Sequence, residues 1–247
     1  MKNQSAQRGG CNGGAMFDSG ALLLVGNGQG REKLREQHEV FMTYIDLAFR
    51  LNGTTVPVDH GYALYAALSR ITPELHDAKD LGVQPIRGVY SGDGKLHLAD
   101  FSRLILRLPD DAIRTYLSLA GKQLDVDRHL LRVGVPEVRL LRPVASLRSR
   151  LVTIKGFMET ETFLEAVKRQ LQDLQVAGEA HLGERKTFRV KDKQVVGFAM
   201  GITNLTAEES LTLQEKGLGG RRRMGCGMFV PTETRSNEDI STAFGKK

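Results

Sequence analysis

Alternating apolar and polar positions mark the first structured segment of this 247-residue chain, residues 40–51. A period of two is the pattern of a half-buried strand. Further along, apolar residues recur every three or four positions, which predicts a helix that Asp59 caps and that Pro73 ends. The apolar positions of this helix are Leu64, Ala67, Leu68 and Ile71.

The rest of this half predicts further strands and a second helix. Residues 83–98 predict a strand, a turn at 91–94 and another strand, and residues 103–108 alternate again. Pro109 and the two aspartates after it open a helix. Its apolar positions are Ile113, Tyr116, Leu117 and Leu119. Residues 135–141 close the half as a strand.

The second half repeats this order with stronger signals. Residues 150–157 alternate as a strand, and Thr160 begins a helix. The apolar stripe of that helix consists of Phe163, Leu164, Val167, Leu171 and Leu174. Residues 187–190 and 195–202 predict a hairpin. Thr206 followed by Glu209 predicts a capping box at the last helix, and residues 226–230 predict the last strand.

Each half therefore predicts strand, helix, strand, strand, helix, strand, the ferredoxin-like order. The predicted fold class is α+β, with two tandem ferredoxin-like (βαββαβ, RRM-like) units and a C-terminal glycine-rich loop. The N-terminal unit takes residues 38–143 and the C-terminal unit residues 144–235. Residues 1–37 hold many glycines and no sustained period, so we expect a poorly ordered leader, and residues 236–247 form a tail. Residues 32–38 could continue as a short charged helix, and the alternative is that the given start of the sequence lies upstream of the true one.

Composition narrows the class of partner. The net charge of +6 and the pI near 9.4 favour a polyanion, because phosphates neutralised by cations release counterions. Two cysteines, Cys11 and Cys226, make no disulfide framework or metal motif, which favours a cytoplasmic setting. The apolar run at residues 22–25 is too short for a membrane span, and Asp18 before it argues against a secretory signal. We expect no membrane partner.

A glycine-rich stretch at residues 217–227 carries the strongest functional signal. Its glycines are Gly217, Gly219, Gly220, Gly225 and Gly227, and its arginines are Arg221, Arg222 and Arg223. Glycine admits positive φ angles and close backbone approach, and guanidinium groups suit phosphate. A P-loop would end in Gly-Lys-Ser/Thr, and a dinucleotide fingerprint would have glycine where Arg222 stands. The stretch predicts a loop that lies against a phosphodiester backbone.

The spacing G-x-G-x5-G-x-G, followed by an apolar run, resembles the glycine-rich loop of the RAMP superfamily. The resemblance is strongest to the endoribonucleases that process CRISPR repeat transcripts, and it extends over residues 39–234. It implies metal-independent cleavage in which the ribose 2′-hydroxyl attacks the adjacent phosphorus, with general acid–base catalysis. It also implies that the partner is CRISPR repeat RNA, both as the precursor and as the guide. The enzyme can then stay bound as a subunit of an effector complex.

Candidate catalytic residues follow from the same resemblance, since that family commonly places a catalytic histidine in or beside its first helix. Here His60 holds this position, and Tyr62 and Tyr65 follow it. One relative pairs a tyrosine with a histidine three residues away, whereas this chain has two tyrosines at that spacing. The second proton-transfer group therefore stays open. A local hydrogen bond at the helix start is the alternative role for His60.

The other histidines carry weaker signals. His97 and His181 either touch RNA or are ordinary strand and surface residues, and nothing raises His38, His76 or His129 above that. No histidines and carboxylates have metal-ligand spacing. We expect no catalytic metal and no cofactor.

Two basic clusters could bind RNA. One lies on the predicted hairpin of the second half and consists of Arg185, Lys186, Arg189, Lys191 and Lys193. It either grips an RNA stem through phosphates and 2′-hydroxyls or is a solvated surface. The other consists of Arg139, Arg142, Arg148 and Arg150. It either lines a groove between the two units or keeps the linker soluble.

The function that follows is cleavage of CRISPR precursor RNA within its repeats. The first alternative is a non-catalytic RAMP subunit that coats or caps guide RNA. The second is a general RNA-binding module unrelated to CRISPR.

Overall fold

The computed structural model describes residues 43–191 and 193–232, and all of these belong to one compact unit. The predicted leader at 1–37 and the predicted tail at 236–247 lie outside the described residues.

The first half forms a five-stranded sheet and a small three-stranded one. Its strands are β1 (Tyr44–Asn52), β2 (Thr55–Pro57), β3 (Gly82–Gln84), β4 (Val89–Tyr90), β5 (Lys95–His97), β6 (Arg103–Pro109), β7 (Gln123–Val126) and β8 (His129–Leu140). The larger sheet has the order β3-β6-β1-β8-β7, and the smaller has the order β2-β5-β4. Strands β3, β6, β1 and β8 follow the ferredoxin-like arrangement, since the first strand lies between the third and the last.

The helices of this half pack on one face of the larger sheet. They are α1 (Gly61–Ile71), a 3-10 turn (Pro73–His76), a second 3-10 turn (Asp110–Ala112) and α2 (Ile113–Leu117). Because side chains alternate along β1, Ile45, Leu47 and Phe49 enter the same apolar core as Leu64 and Leu68 of α1. The opposite face of β1 and β6 is turned toward the second half of the chain.

Two details of the first half differ from the prediction. The segment at residues 83–98 contributes only β3 to the main sheet, while β4 and β5 pair with each other and with β2. The last strand begins earlier than expected, because β7 and β8 form a hairpin through Asp127 and Arg128, both at positive φ. That hairpin widens the sheet without changing the ferredoxin-like order.

The second half repeats the arrangement without additions. It consists of β9 (Leu147–Val152), α3 (Thr160–Asp173), β10 (Glu179–Val190), β11 (Lys193–Thr203), α4 (Ala207–Lys216), a 3-10 turn (Arg222–Met224) and β12 (Val230–Pro231). The sheet order β10-β11-β9-β12 is again ferredoxin-like. The predicted capping box is confirmed, because the Thr206 hydroxyl accepts from the Glu209 N–H and the Glu209 carboxylate accepts from the Thr206 N–H.

The final strand is shorter than predicted. Only Val230–Pro231 pairs with β9, and residues 226–229 are the buried return of the glycine-rich loop. The Gly227 N–H donates to the Leu151 carbonyl oxygen at 2.7 Å, so this return is held by single hydrogen bonds and not by a ladder. Residues 226–229 are apolar because they are buried in the loop, and they do not form the predicted strand.

One buried arginine of the first half joins the two halves. The Arg107 guanidinium on β6 is 1% exposed and donates to both carboxylate oxygens of Asp46, at 2.8 and 2.9 Å. Its Nη1 also donates to the Gln214 carbonyl oxygen at 3.0 Å and to the Phe229 carbonyl oxygen at 2.6 Å. Gln214 precedes the glycine-rich loop and Phe229 follows it. One side chain of the first half therefore holds both ends of the loop.

Candidate active site

The glycine-rich loop, residues 217–227, folds back tightly on itself. Gly217, Gly225 and Gly227 have φ angles of 65°, 84° and 66°, in the region that favours glycine. A Cβ on Gly227 would stand 2.0 Å from the Leu218 carbonyl oxygen, closer than any real contact. Gly220 differs, because a Cβ there would meet nothing within 4 Å. The loop conformation thus requires glycine at some of these positions and not at others.

We expect Gly227→Ala to lower the free energy of unfolding by at least about 2 kcal/mol, because a side chain at positive φ costs about 1–2 kcal/mol before the clash with the Leu218 carbonyl oxygen is added. Gly220→Ala is the matched control within the same loop and should stay within about 0.5 kcal/mol of wild type. Urea unfolding followed by circular dichroism gives both values. Equal losses in the two variants would contradict this account of the loop.

The three arginines of the loop point in different directions. Arg221 is exposed, and its side chain has no hydrogen-bond partner within residues 43–191 and 193–232. Arg222 turns inward, where its Nη2 donates to the Glu215 carbonyl oxygen and burial lowers its pKa. Arg223 reaches the first half, where its Nη1 donates to the carbonyl oxygens of Leu75, at 2.8 Å, and His76. Arg221 is the member best placed for a phosphate, and RNA binding by all three stays a prediction.

Arg223 brings the loop to a pair formed by the half-buried Tyr65 and the exposed His76. The Tyr65 hydroxyl and the His76 Nδ1 are 2.8 Å apart, and the two rings meet edge to face. The Arg223 guanidinium carbon lies 5.8 Å from the centre of the Tyr65 ring. The His76 Nε2 has no hydrogen-bond partner in the described part of the chain. An imidazole with one nitrogen oriented, the other open and a guanidinium beside it can take or give a proton near a phosphate.

His60 lies in a different environment, since it is 0% exposed. Its Nδ1 is 2.7 Å from the Pro57 carbonyl oxygen, and its Nε2 accepts from the Ile86 N–H at 2.9 Å. Burial lowers the pKa of His60 to about 4, so the ring is neutral at pH 7. In this conformation neither nitrogen reaches solvent. Proton transfer by His60 stays a prediction that these contacts do not favour, and the local hydrogen bonds match the alternative role.

The predicted catalytic trio is not brought together by hydrogen bonds. Tyr65 bonds to His76, whereas the half-buried Tyr62 makes no side-chain hydrogen bond among the described residues. The prediction that Asp59 caps α1 was wrong, because His60 occupies the N-cap position and no side chain caps the helix. The Asp59 carboxylate instead accepts from the Arg189 N–H at 3.0 Å, which ties the β10–β11 hairpin to the start of α1.

The basic residues of that hairpin divide between its two faces. Lys186 shares a face with the buried Phe188 and lines a cavity with Arg150, while Arg185 and Arg189 are exposed on the other face. Lys191 and Lys193 are exposed near the hairpin tip. The Lys186 Nζ also pairs with a carboxylate oxygen of Glu184 at 3.4 Å. The role of the five cations in binding RNA stays a prediction.

A groove of about 550 Å³ lies between the five-stranded sheet of the first half and the four-stranded sheet of the second half. Its charged lining comes from Arg87, Arg148, Arg150, Lys186 and Glu184. A neighbouring groove is lined by Arg139, Arg142 and Arg148, among others. The second basic cluster therefore lines the space between the two halves, which was one of its two predicted placements.

Sequence reasoning missed His76 and Arg87. In the sequence Pro73 predicts the end of a helix, and in the structure it also opens a 3-10 turn. The fully buried Leu75 anchors that turn, which leaves its neighbour His76 exposed beside Tyr65. An apolar residue two positions after such a proline was the available signal.

No group of three or more histidine, cysteine, aspartate or glutamate side chains is placed to hold a metal ion within the described ranges. None of the helices in the described part of the chain is both long and apolar enough to span a membrane.

Known proteins resemble this chain in sequence. A family model described as "Cas6 Crispr" matches residues 45–234. A protein of Myxococcus xanthus (strain DK1622), named CRISPR-associated endonuclease Cas6, is 43% identical over 190 residues, which cover 77% of this chain and 82% of that protein.

Solved structures share the fold at low sequence identity. One named CRISPR associated protein Cas6 has a TM-score of 0.57 at 16% identity, with 77% of this chain and 99% of that chain covered. A Cas6-related protein from Pyrococcus furiosus has a TM-score of 0.55 at 14% identity, with 78% and 100% covered. A structure titled "An RAMP protein binding different RNA substrates" has a TM-score of 0.51 at 13% identity, with 76% and 98% covered. These likenesses confirm the predicted fold class.

Proposed function

We propose, because this chain belongs to the Cas6 family, that it is an endoribonuclease that cleaves CRISPR precursor RNA within its repeats. The Myxococcus xanthus relative is named an endonuclease of the CRISPR system. The products are guide RNAs that carry repeat sequence at their ends. The protein acts in the cytoplasm, and it can remain on its product as a subunit of an effector complex.

The single observation that carries the proposal is the Tyr65–His76 pair beside Arg223. It places an oriented imidazole and a guanidinium at the surface where the glycine-rich loop meets the first half. RNA cleavage without a metal requires groups that accept and donate protons, because a proton must leave the attacking 2′-hydroxyl and another must reach the departing 5′-oxygen. An imidazole can do both. The guanidinium stabilises the negative charge that develops on the phosphorus oxygens between these two events.

The protonation state of His76 determines which proton it moves. When the ring is a cation, both nitrogens carry protons, so Nδ1 donates to the tyrosine oxygen, and Nε2 serves as the acid for the leaving 5′-oxygen and leaves a neutral ring. When Nδ1 carries the proton and donates to the tyrosine oxygen, Nε2 holds a lone pair and serves as the base for the 2′-hydroxyl. In both cases the bond between Tyr65 and His76 fixes the direction in which Nε2 points.

RNA binding in this proposal uses the surfaces that flank the pair. Arg221 contacts a phosphate at the glycine-rich loop, and the exposed cations of the β10–β11 hairpin contact the backbone of a stem. Arg87, Arg148 and Arg150 attract the strand that enters the groove between the sheets. The binding free energy then depends strongly on salt, as for any phosphate-dominated interface.

The test is cleavage of repeat RNA by the purified protein in excess EDTA. We expect a product with a cyclic phosphate and a second product with a free 5′-hydroxyl. Once the cut is mapped, an RNA with a single 2′-deoxy nucleotide before it should bind equally and stay whole, because the attacking group is missing. Binding of repeat RNA without any cleavage would contradict the enzyme and support the non-catalytic RAMP subunit.

A further inference from the structure

His60 joins two backbone segments that are far apart in sequence. Since Nε2 accepts from the Ile86 N–H, the ring proton sits on Nδ1, which donates to the Pro57 carbonyl oxygen. The two bonds tie the chain just before α1 to the segment that follows β3. Both partners are backbone groups, so the ring acts here as a spacer of fixed length.

The two segments tied by His60 both press against the glycine-rich loop. A Cβ on Gly61, the residue after His60, would stand 2.5 Å from the Met224 carbonyl oxygen. A Cβ on Gly225 would stand 2.9 Å from Cγ of Pro85, the residue before Ile86. The loop therefore contacts the chain on both sides of the histidine. Arg223, which reaches His76, lies immediately before these two contact residues.

We propose that His60 is a positioning residue of the cleavage site: it holds the surface on which the glycine-rich loop rests, and thereby sets where Arg223 meets Tyr65 and His76. The ring exchanges no proton with RNA. The expected effect of His60 on cleavage rests on the proposed function. Its expected effect on the position of the glycine-rich loop concerns the protein without RNA.

The first experiment measures the protein without RNA. Amide hydrogen exchange in peptides that cover residues 217–227 should be about tenfold faster in His60→Ala, because the two tying bonds are lost. His60→Gln keeps an acceptor for the Ile86 N–H at similar reach, and should return the exchange most of the way to wild type. His181→Ala removes an exposed histidine and is the matched control, with no expected change. Unchanged exchange in His60→Ala would overturn the proposal.

The second experiment measures single-turnover cleavage at saturating repeat RNA, at a temperature where every variant is folded. We expect His60→Ala to be about tenfold slower than wild type and His60→Gln to recover most of that rate. A loss of about 100-fold or more in both variants, with wild-type RNA affinity, would overturn the proposal in favour of proton transfer by His60. Wild-type rates in both, with only a lower melting temperature, would overturn it in favour of a purely structural role.

The two experiments separate this inference from the proposed function. If the wild-type protein binds repeat RNA and does not cleave it, the proposed function fails. Hydrogen exchange of the loop then still decides whether His60 holds it in place.

Discussion

His76→Ala should slow cleavage of repeat RNA at least about 100-fold at saturating RNA, the usual loss when a general acid or base is removed. The affinity for an uncleavable 2′-deoxy repeat RNA should change little, because His76 is exposed and makes no buried contact through its ring. Single-turnover kinetics and a filter-binding assay give the two quantities separately. The loss is expected in the rate and not in the dissociation constant.

Two further variants sharpen this result. Tyr65→Phe removes only the hydroxyl that orients the imidazole, and a loss of about tenfold is expected, smaller than for the histidine itself. His97→Ala removes another exposed histidine, from β5, and should cleave at the wild-type rate. If His76→Ala cleaves within about threefold of the wild-type rate, the Tyr65–His76 pair is not the proton-transfer group. His60 would then be the remaining histidine candidate for proton transfer.

Local signals predicted the starts of the two helices in the second half closely. Thr206 and Glu209 form a capping box that fixes the start of α4, and this box needs no partner from a distant part of the chain. The stripe that includes Phe163, Val167 and Leu171 buries one face of α3 for the same reason. Where the physical cause is contained within a few neighbouring residues, sequence reasoning was sufficient.

The candidate site was harder to predict because its contacts join distant parts of the chain. The sequence indicates that Arg223 carries charge in a glycine-rich loop, but its partners are the backbone carbonyls of residues 75 and 76. The position of His60 at the mouth of a helix was predicted, yet its burial depends on the approach of Ile86. Which polar group faces solvent and which faces the core is decided by tertiary packing, and no local pattern records that choice.

Arg107→Ala should lower the free energy of unfolding by about 3–5 kcal/mol, the cost of breaking a buried ion pair at one partner. The loss leaves the Asp46 carboxylate, 14% exposed, without its bidentate partner and removes the donor shared by the carbonyl oxygens of Gln214 and Phe229. Arg114→Ala is the matched control, because Arg114 is exposed on α2, and should stay within about 0.5 kcal/mol of wild type. Urea unfolding gives the free energies.

Arg107 should also affect RNA binding, independently of its effect on stability. Because its Nη1 holds both ends of the glycine-rich loop, the variant should also bind repeat RNA less tightly at temperatures where it remains folded. Arg107→Met combined with Asp46→Leu replaces the pair by apolar groups, and should recover much of the stability while leaving the loop unanchored. Recovered stability with weak RNA binding would separate the two roles of this side chain. Wild-type RNA affinity in the stable double variant would show that the loop keeps its conformation without the anchor.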